Sequence, residues 1–287
     1  TGPEDNISIS IGLADTAGME ESIKSQIGDR PVIELIAKAG DNILNRNNPD
    51  APVAVSIPYT PTEEEMKDPE HIVVWYIDSH GNAIPVSNGR YDPETGKVTF
   101  TVTHFSKYAI AYVKKTFSDI DNYAWAKKPI EILASKGIIA GTSATTYSPG
   151  QNITRADFIT LLVRTLELKA DFNENFDDVK ASDYYYEAVG TAKALGITSG
   201  VGNNKFSPRE EILRQDMMVL LARALKITEK ISTSGTAEDI AHFNDIDDVS
   251  DYAVEGVATL VKEGIIQGSN NNINPKGTAT RAETAVV

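Results

Sequence analysis

The sequence predicts a multidomain protein, with an N-terminal antiparallel β-sandwich-like domain over residues 1–115 and an all-α, pseudo-threefold cluster of helix-loop-helix repeats over 116–172, 173–230 and 231–287. Three observations predict it. Up to about residue 113, apolar residues recur at every second position. After that the apolar spacing lengthens to that of a helix. One interval also recurs three times, since Phe117 to Arg155, Phe176 to Arg214 and Phe243 to Arg281 are each 38 residues. At about 100–200 residues per domain, a chain of 287 residues has room for two or three domains.

In the first part, Ile7, Ile9 and Ile11 alternate with Ser and Gly. That period of two sends alternate side chains of a strand to one face. VIELIAK, PVAVSIPY, HIVVWYID, KVTFTVTHF and KYAIAYV follow, each bounded by Gly, Pro, Asn or Asp. Ser79-His80-Gly81-Asn82 and Asp92-Pro93-Glu94-Thr95-Gly96 have the composition of hairpin turns. Lys114-Lys115-Thr116 reads as a short linker.

The repeats follow at intervals of 59 and 67 residues, the excess being a Ser/Thr/Gly-rich insertion around Ile231–Ala237. In the first repeat Ile130, Leu133 and Ala134 fall at helical spacing, and Ser135-Lys136-Gly137 ends that helix on a left-handed glycine. Pro129 predicts a kink, or a helix that begins near it. Pro149, Pro208 and Pro275 set turns before second helices that open at Thr154, Leu213 and Thr280. Thr154 and Thr280 are N-caps, with Asp157 and Glu283 as capping-box partners. Phe158, Leu161, Leu162 and Leu166 form an apolar stripe. Asp119, Asp178 and Asp245 each stand two residues after the opening Phe and are expected to cap the first helix of their repeat. No unit of this size buries its own stripe, so the three must pack together.

Composition narrows the function. The formal charge of −14 argues against nucleic acid and against docking on anionic lipid by charge. An anionic partner would need a local cluster of basic side chains. No apolar run is long enough to span a membrane. Cysteine is absent, which excludes disulfides and thiolate metal sites. His71, His80, His104 and His242 are not at metal-ligand spacing. Asp245-Ile246-Asp247-Asp248 lacks the Gly and terminal Glu of an EF-hand loop. No cofactor is expected, and a turnover enzyme is not expected within these residues. The opening TGPEDNISIS has neither a basic nor an apolar leader region, so a signal peptide is expected to have been removed, or the chain to be a fragment.

The order F-x-D-[IV], helix, G-I-[IT]-x-G, [FY]-S-P, T-R-A-[DE] resembles the S-layer homology (SLH) module, in three copies from Phe117 to Val287, 171 of 287 residues. The resemblance implies a three-pronged prism that anchors an extracellular protein to the secondary polysaccharide of a bacterial cell wall. It also implies that Arg155, Arg214 and Arg281 sit in grooves between modules and meet an anionic, often pyruvylated, sugar. Asp157, Asp216 and Glu283 belong to the same motif. Self-association at the surface, as in an S-layer, is a further expectation.

The physics of the motif agrees. A guanidinium grips a carboxylate through two parallel hydrogen bonds, and a helix N-terminus favours an anion. Each arginine equally suits a bridge to a carboxylate of the neighbouring module. The second copy reads Leu213-Arg214-Gln215-Asp216, without the hydroxyl cap and with a bulkier Gln, which predicts a weaker or altered groove. The third copy stops six residues past Arg281, so its last helix is expected to be cut short. Trp125, Tyr184 to Tyr186 and Tyr252 could stack on sugar faces. Burial in the core is the commoner fate of such rings and is expected for most of them, and Trp125 is counted with the ligand set.

The end of the first domain invites a separate reading. His104-Phe105-Ser106 between two strands resembles the GPS region that closes the self-cleaving GAIN domain of adhesion receptors. The resemblance implies His104 as base, Ser106 as nucleophile and a scissile Phe105–Ser106 bond. The paired cysteines of that motif are missing here. The other reading is a β-turn without chemistry.

Overall fold

A computed structural model describes residues 7–44, 48 and 51–287. The chain forms two compact units, Thr1–Phe117 with Glu131–Ala140, and Ser118–Ile130 with Gly141–Val287.

Unit 1 holds β1 (Ile7–Leu13), α1 (Glu21–Ile27), β2 (Val32–Ala39), β3 (Asn42–Ile43), β4 (Val53–Pro58), β5 (Ile72–Ile77), β6 (Ala83–Val86), β7 (Arg90–Asp92), β8 (Lys97–Val102) and β9 (Lys107–Tyr112). The larger sheet runs β1-β2-β9-β5-β6 with β3 beside β2, and the smaller runs β4-β8-β7. All the pairings are antiparallel. Alternation along the strands explains the layers. Ile33, Leu35, Val74, Tyr108 and Ile110 of the larger sheet pack with Val55, Ile57, Val98, Phe100 and Val102 of the smaller. The alternate residues Val32, Val73, Trp75, Ile77, Ala109 and Ala111 pack with Ile23 and Ile27 of α1. β5 and β9 are therefore covered on both faces, which is why they read as nearly unbroken apolar runs.

Two features of this unit depart from the sequence reading. Helix α1 is absent from that reading, because it is seven residues long with Ile23 and Ile27 as its buried contacts. The alternating isoleucines of β1 are also not core. They lie opposite Ala39, Ala37 and Leu35 in register, yet Ile7 is 66% exposed and Leu13 at the far end of the strand 86%. Period two identifies a strand but does not say whether a second layer covers it.

Unit 2 contains the first part of α2 (Ala124–Ser135), then α3 (Arg155–Thr165), α4 (Tyr186–Ala194), α5 (Arg214–Ile227), α6 (Ala237–Ile240), α7 (Val254–Lys262) and α8 (Arg281–Val286). Pro129 lies inside α2, which begins five residues before it rather than at it. The glycine stop at Gly137 is as expected, with φ 68°, and Gly196 and Gly264 repeat it at 71° each.

Asp119, Asp178 and Asp245 do not cap helices. Asp119 accepts hydrogen bonds from the backbone N–H of Tyr147 and Ser148, both at 2.8 Å. Asp178 accepts from Phe206 and Ser207 at 2.9 Å, and Asp245 from Ile273 and Asn274 at 2.9 and 2.7 Å. Each carboxylate thus braces the residues just before the repeat's proline. Those residues need a brace, because Ser148, Ser207 and Asn274 have φ of 59°, 54° and 56°, in the left-handed region that L residues avoid.

The three second helices meet at their starts. Ile153 N–H donates to Ala279 O (2.9 Å), Ala279 N–H to Ile212 O (3.0 Å) and Ile212 N–H to Ile153 O (3.0 Å). These are equivalent positions, two before each repeat arginine, and the bonds close a ring. A second cycle surrounds it, from Arg155, Arg214 and Arg281 N–H to Glu210, Gly277 and Gln151 O, each at 2.8 Å.

Candidate functional site

The ring fixes where the motif side chains go. Thr154 Oγ1 accepts from Asp157 N–H at 3.1 Å and Thr280 Oγ1 from Glu283 N–H at 3.2 Å, the N-caps read from sequence. Glu283 completes the box by accepting Thr280 N–H at 2.8 Å. Leu213 offers no side-chain cap. From the first residue of α3, Arg155 crosses to the second repeat, where Nε donates to Phe206 O (2.9 Å) and Nη1 to Asp216 Oδ2 (3.0 Å). Arg214 crosses to the third in the same way, with Nε on Ile273 O (3.0 Å) and Nη1 on Glu283 Oε1 (2.5 Å). Arg281 returns to the first, with Nε on Tyr147 O at 2.9 Å and its guanidinium 4.5 Å from the centre of the Tyr147 ring.

Of the two roles the arginines suit, the bridge to a neighbouring carboxylate is the contact seen for Arg155 and Arg214. It leaves capacity. Arg155 commits two of its five N–H donors to the protein, so three remain for a ligand. The residue lines a cavity of about 410 Å³ together with Gly200, Asp216, Val219, Arg223 and Tyr252. That volume lies within the usual range of ligand pockets. Two guanidinium groups face one carboxylate there, so this point is locally cationic in a chain of formal charge −14.

Aromatic side chains complete the arrangement. Trp125, Tyr184 and Tyr252 are 55%, 70% and 58% exposed, against the expectation of core packing, whereas Tyr185 is buried. All three stand twelve residues before the glycine that ends their helix, Gly137, Gly196 or Gly264. Tyr252 donates its hydroxyl to Asp216 Oδ1 and Tyr184 donates to Asp157 Oδ1, each at 2.5 Å. Burial and the bonded Asp216 carboxylate push the Tyr252 hydroxyl up to about 12, and burial with Asp157 raises Tyr184 likewise. Both hydroxyls are therefore protonated donors at neutral pH. The groove by Arg155 thus takes its arginine from the first repeat, its carboxylate from the second and its aromatic ring from the third. Arg223 was not among the residues singled out from sequence. It stands seven residues after Asp216 on α5, about two helical turns on and so on the same face, and that spacing was the available signal.

His104, Phe105 and Ser106 lie between β8 and β9, and nothing in their surroundings supports the likeness to a self-cleaving region. None of the three has a left-handed φ. The His104 ring packs edge-on to Tyr76 with centroids 4.5 Å apart, and its Nε2 faces the Tyr108 hydroxyl at 3.4 Å rather than Ser106. Tyr108 donates to His104 O at 2.8 Å, and Ser106 O accepts from Leu35 N–H at 2.9 Å, so the turn is tied into the sheet. Freshly purified protein should show one species of 31.1 kDa by denaturing mass spectrometry. Two fragments adding up to that mass, abolished by Ser106→Ala, would reverse this reading.

Comparison with known proteins bears on the same segments. The S-layer homology domain family matches residues 116–159, 175–218 and 242–285. The chain is 37% identical to an amylopullulanase of Thermoanaerobacterium thermosulfurigenes over 226 residues, 78% of this chain and 12% of that one. It is 41% identical to exoglucanase XynX of Acetivibrio thermocellus over 177 residues, covering 60% and 16% of the two chains. It is 31% identical to the surface-layer 125 kDa protein of Lysinibacillus sphaericus over 175 residues, covering 60% and 14%. The chain therefore spans under a fifth of the length of each relative. No helix among the described residues is long and apolar enough to cross a membrane. The matches of residues 116–159, 175–218 and 242–285 to the S-layer homology domain, with S-layer proteins among the relatives, mark an extracellular, cell-wall-associated protein.

Proposed function

We propose that unit 2 holds the protein non-covalently to an anionic cell-wall polysaccharide, gripping carboxylate-bearing sugars in grooves where an arginine of one repeat, a carboxylate of the next and an aromatic ring of the third converge. The observation that carries this reading is the cavity at Arg155, with two guanidinium groups, a polar aromatic wall and a net positive balance. An arginine held on two sides by Phe206 O and Asp216 presents its remaining donors in a fixed direction, which suits bidentate recognition of a carboxylate. The hydrogen-bond ring supports a pseudo-threefold arrangement, in which one groove type recurs along a repeating polymer and avidity adds to modest affinities.

On this reading the chain is a tether rather than a catalyst. Unit 1 is a spacer, to which the amylopullulanase match extends, since 226 residues exceed the 171 from Phe117 to Val287.

Co-sedimentation with purified cell walls tests the proposal. Bound protein should fall as sodium chloride rises from low concentration to 1 M, where the screening length shortens to about 3 Å. Walls stripped of their anionic polysaccharide should retain none. Retention that persists in high salt or on stripped walls would exclude the arginine grooves and point to apolar association, for which the uncharged, exposed ladder of β1 is the obvious surface.

A further inference from the structure

We infer that the groove formed by Arg155, Asp216 and Tyr252 is the principal polymer site, and that Gln215 is the residue that preorganises it. This rests on the reading above, that the grooves bind a carboxylated sugar. It also inverts the expectation from sequence, in which the departure at Gln215 marks the weaker copy.

The argument starts from what Gln215 touches. It occupies the position held by Ala156 and Ala282 in the other repeats, and it is 1% exposed. A buried amide is costly unless its groups are paired. Here Oε1 accepts Ser250 N–H at 3.0 Å, while Nε2 donates to the Tyr252 hydroxyl at 2.8 Å and to Ser250 Oγ at 3.2 Å. Tyr252 in turn donates to Asp216 Oδ1 at 2.5 Å, and Asp216 Oδ2 holds Arg155 Nη1 at 3.0 Å. One hydrogen-bonded chain thus runs from Gln215 through Tyr252 and Asp216 to the arginine. A phenol offers one donor and an acceptor oxygen. With the donor spent on Asp216 and the acceptor engaged by Gln215, both the ring and its hydroxyl are held at the mouth of the cavity.

The equivalent positions lack this latch. Tyr184 bonds Asp157, but Ala156 stands where the amide would be, and the ring is the more exposed of the two tyrosines. Trp125 has no hydroxyl to place. A side chain already fixed before the ligand arrives loses less freedom on binding, which favours the latched groove by about 3- to 10-fold.

Gln215 is a positioning residue, so its test must separate it from a purely structural one. The probe is a methyl glycoside carrying a pyruvate ketal, titrated by calorimetry into the full chain. Gln215→Ala and Tyr252→Phe should each weaken binding about 3- to 10-fold. The double variant should be no weaker than either single one, because both break the same chain. Tyr252→Phe changes an exposed ring and keeps the test valid if Gln215→Ala unfolds, with thermal melting reporting the fold. If both variants bind as wild type while Arg155→Lys binds more weakly, the latch is wrong and the groove reading stands. If the losses add, Gln215 acts through the fold alone and the inference fails. If Arg155→Lys also binds as wild type, or the unaltered chain does not bind the probe, the groove reading and the inference fall together.

Discussion

Arg155→Lys, Arg214→Lys and Arg281→Lys made together are expected to leave unit 2 folded and to release the protein from purified walls. Lysine keeps a positive charge beside Asp216 and Glu283, so neither carboxylate is stranded. It cannot reproduce the fork. A guanidinium serves Phe206 O through Nε and Asp216 through Nη1 while still offering donors to a ligand, and a single ammonium cannot hold that geometry. The loss per groove should be about tenfold, or roughly 1.4 kcal/mol. If a polymer engages several grooves at once, as proposed, the triple loss compounds. Alanine is the poorer choice. Arg155→Ala would leave the partly buried Asp216 without its partner and cost about 3 kcal/mol of stability, so lost binding could not be told from lost fold. Co-sedimentation paired with a melting curve checks the expectation, and full retention by a folded triple-lysine variant would remove the arginines from the site.

The repeat frame was legible because its signals are local or exactly spaced within the chain: the Phe-to-Arg interval, the left-handed glycines, and threonine with an acidic residue three positions on. The illegible parts depend on distant partners. Asp119 stands shortly before a helix, and nothing near it shows that its acceptors serve Tyr147 and Ser148, 28 and 29 residues later. The aromatic set was obscured by a register shift. Counted from the opening Phe, Trp125 and Tyr184 are eight residues on but Tyr252 is nine, and the three align only when counted back from the glycine. Arg155 and Arg214 each bridge to a carboxylate of the next repeat, and a sequence cannot say that Asp216 and Glu283 already occupy one face of each. His104 and Ser106 show the converse. Three residues carry a motif but not the strained turn or the base-to-nucleophile contact that its chemistry needs, and here the imidazole is taken up by Tyr76 and Tyr108.

Removing one acidic brace should have a large effect on the stability of unit 2. Asp119→Ala strips acceptors from two backbone N–H groups and leaves Ser148 in a left-handed conformation without the carboxylate that holds its N–H. Hydrogen bonds to a charged acceptor are worth about 1.5–3 kcal/mol each, so a loss of about 3 kcal/mol is expected, or roughly 10 °C in melting temperature for a unit of this size. Asp119→Asn keeps one acceptor oxygen and should lose about half as much. The pH dependence follows from the same contacts. Burial pushes the Asp119 carboxyl up, but the N–H groups of Tyr147 and Ser148 outweigh it and hold the folded value below the ordinary range. The stabilisation is therefore complete above the unfolded value, near about pH 4, and is lost as pH falls through the lower folded value. Wild-type protein should lose stability on acidification below about pH 4, and Asp119→Ala should lose less over the same interval. Equal acid sensitivity in both would show that the brace contributes nothing. Salt separates this role from the proposed binding, since contacts of 2.8 Å to partly buried backbone groups are little screened, whereas capture of an anionic polymer by arginines would weaken with every increment.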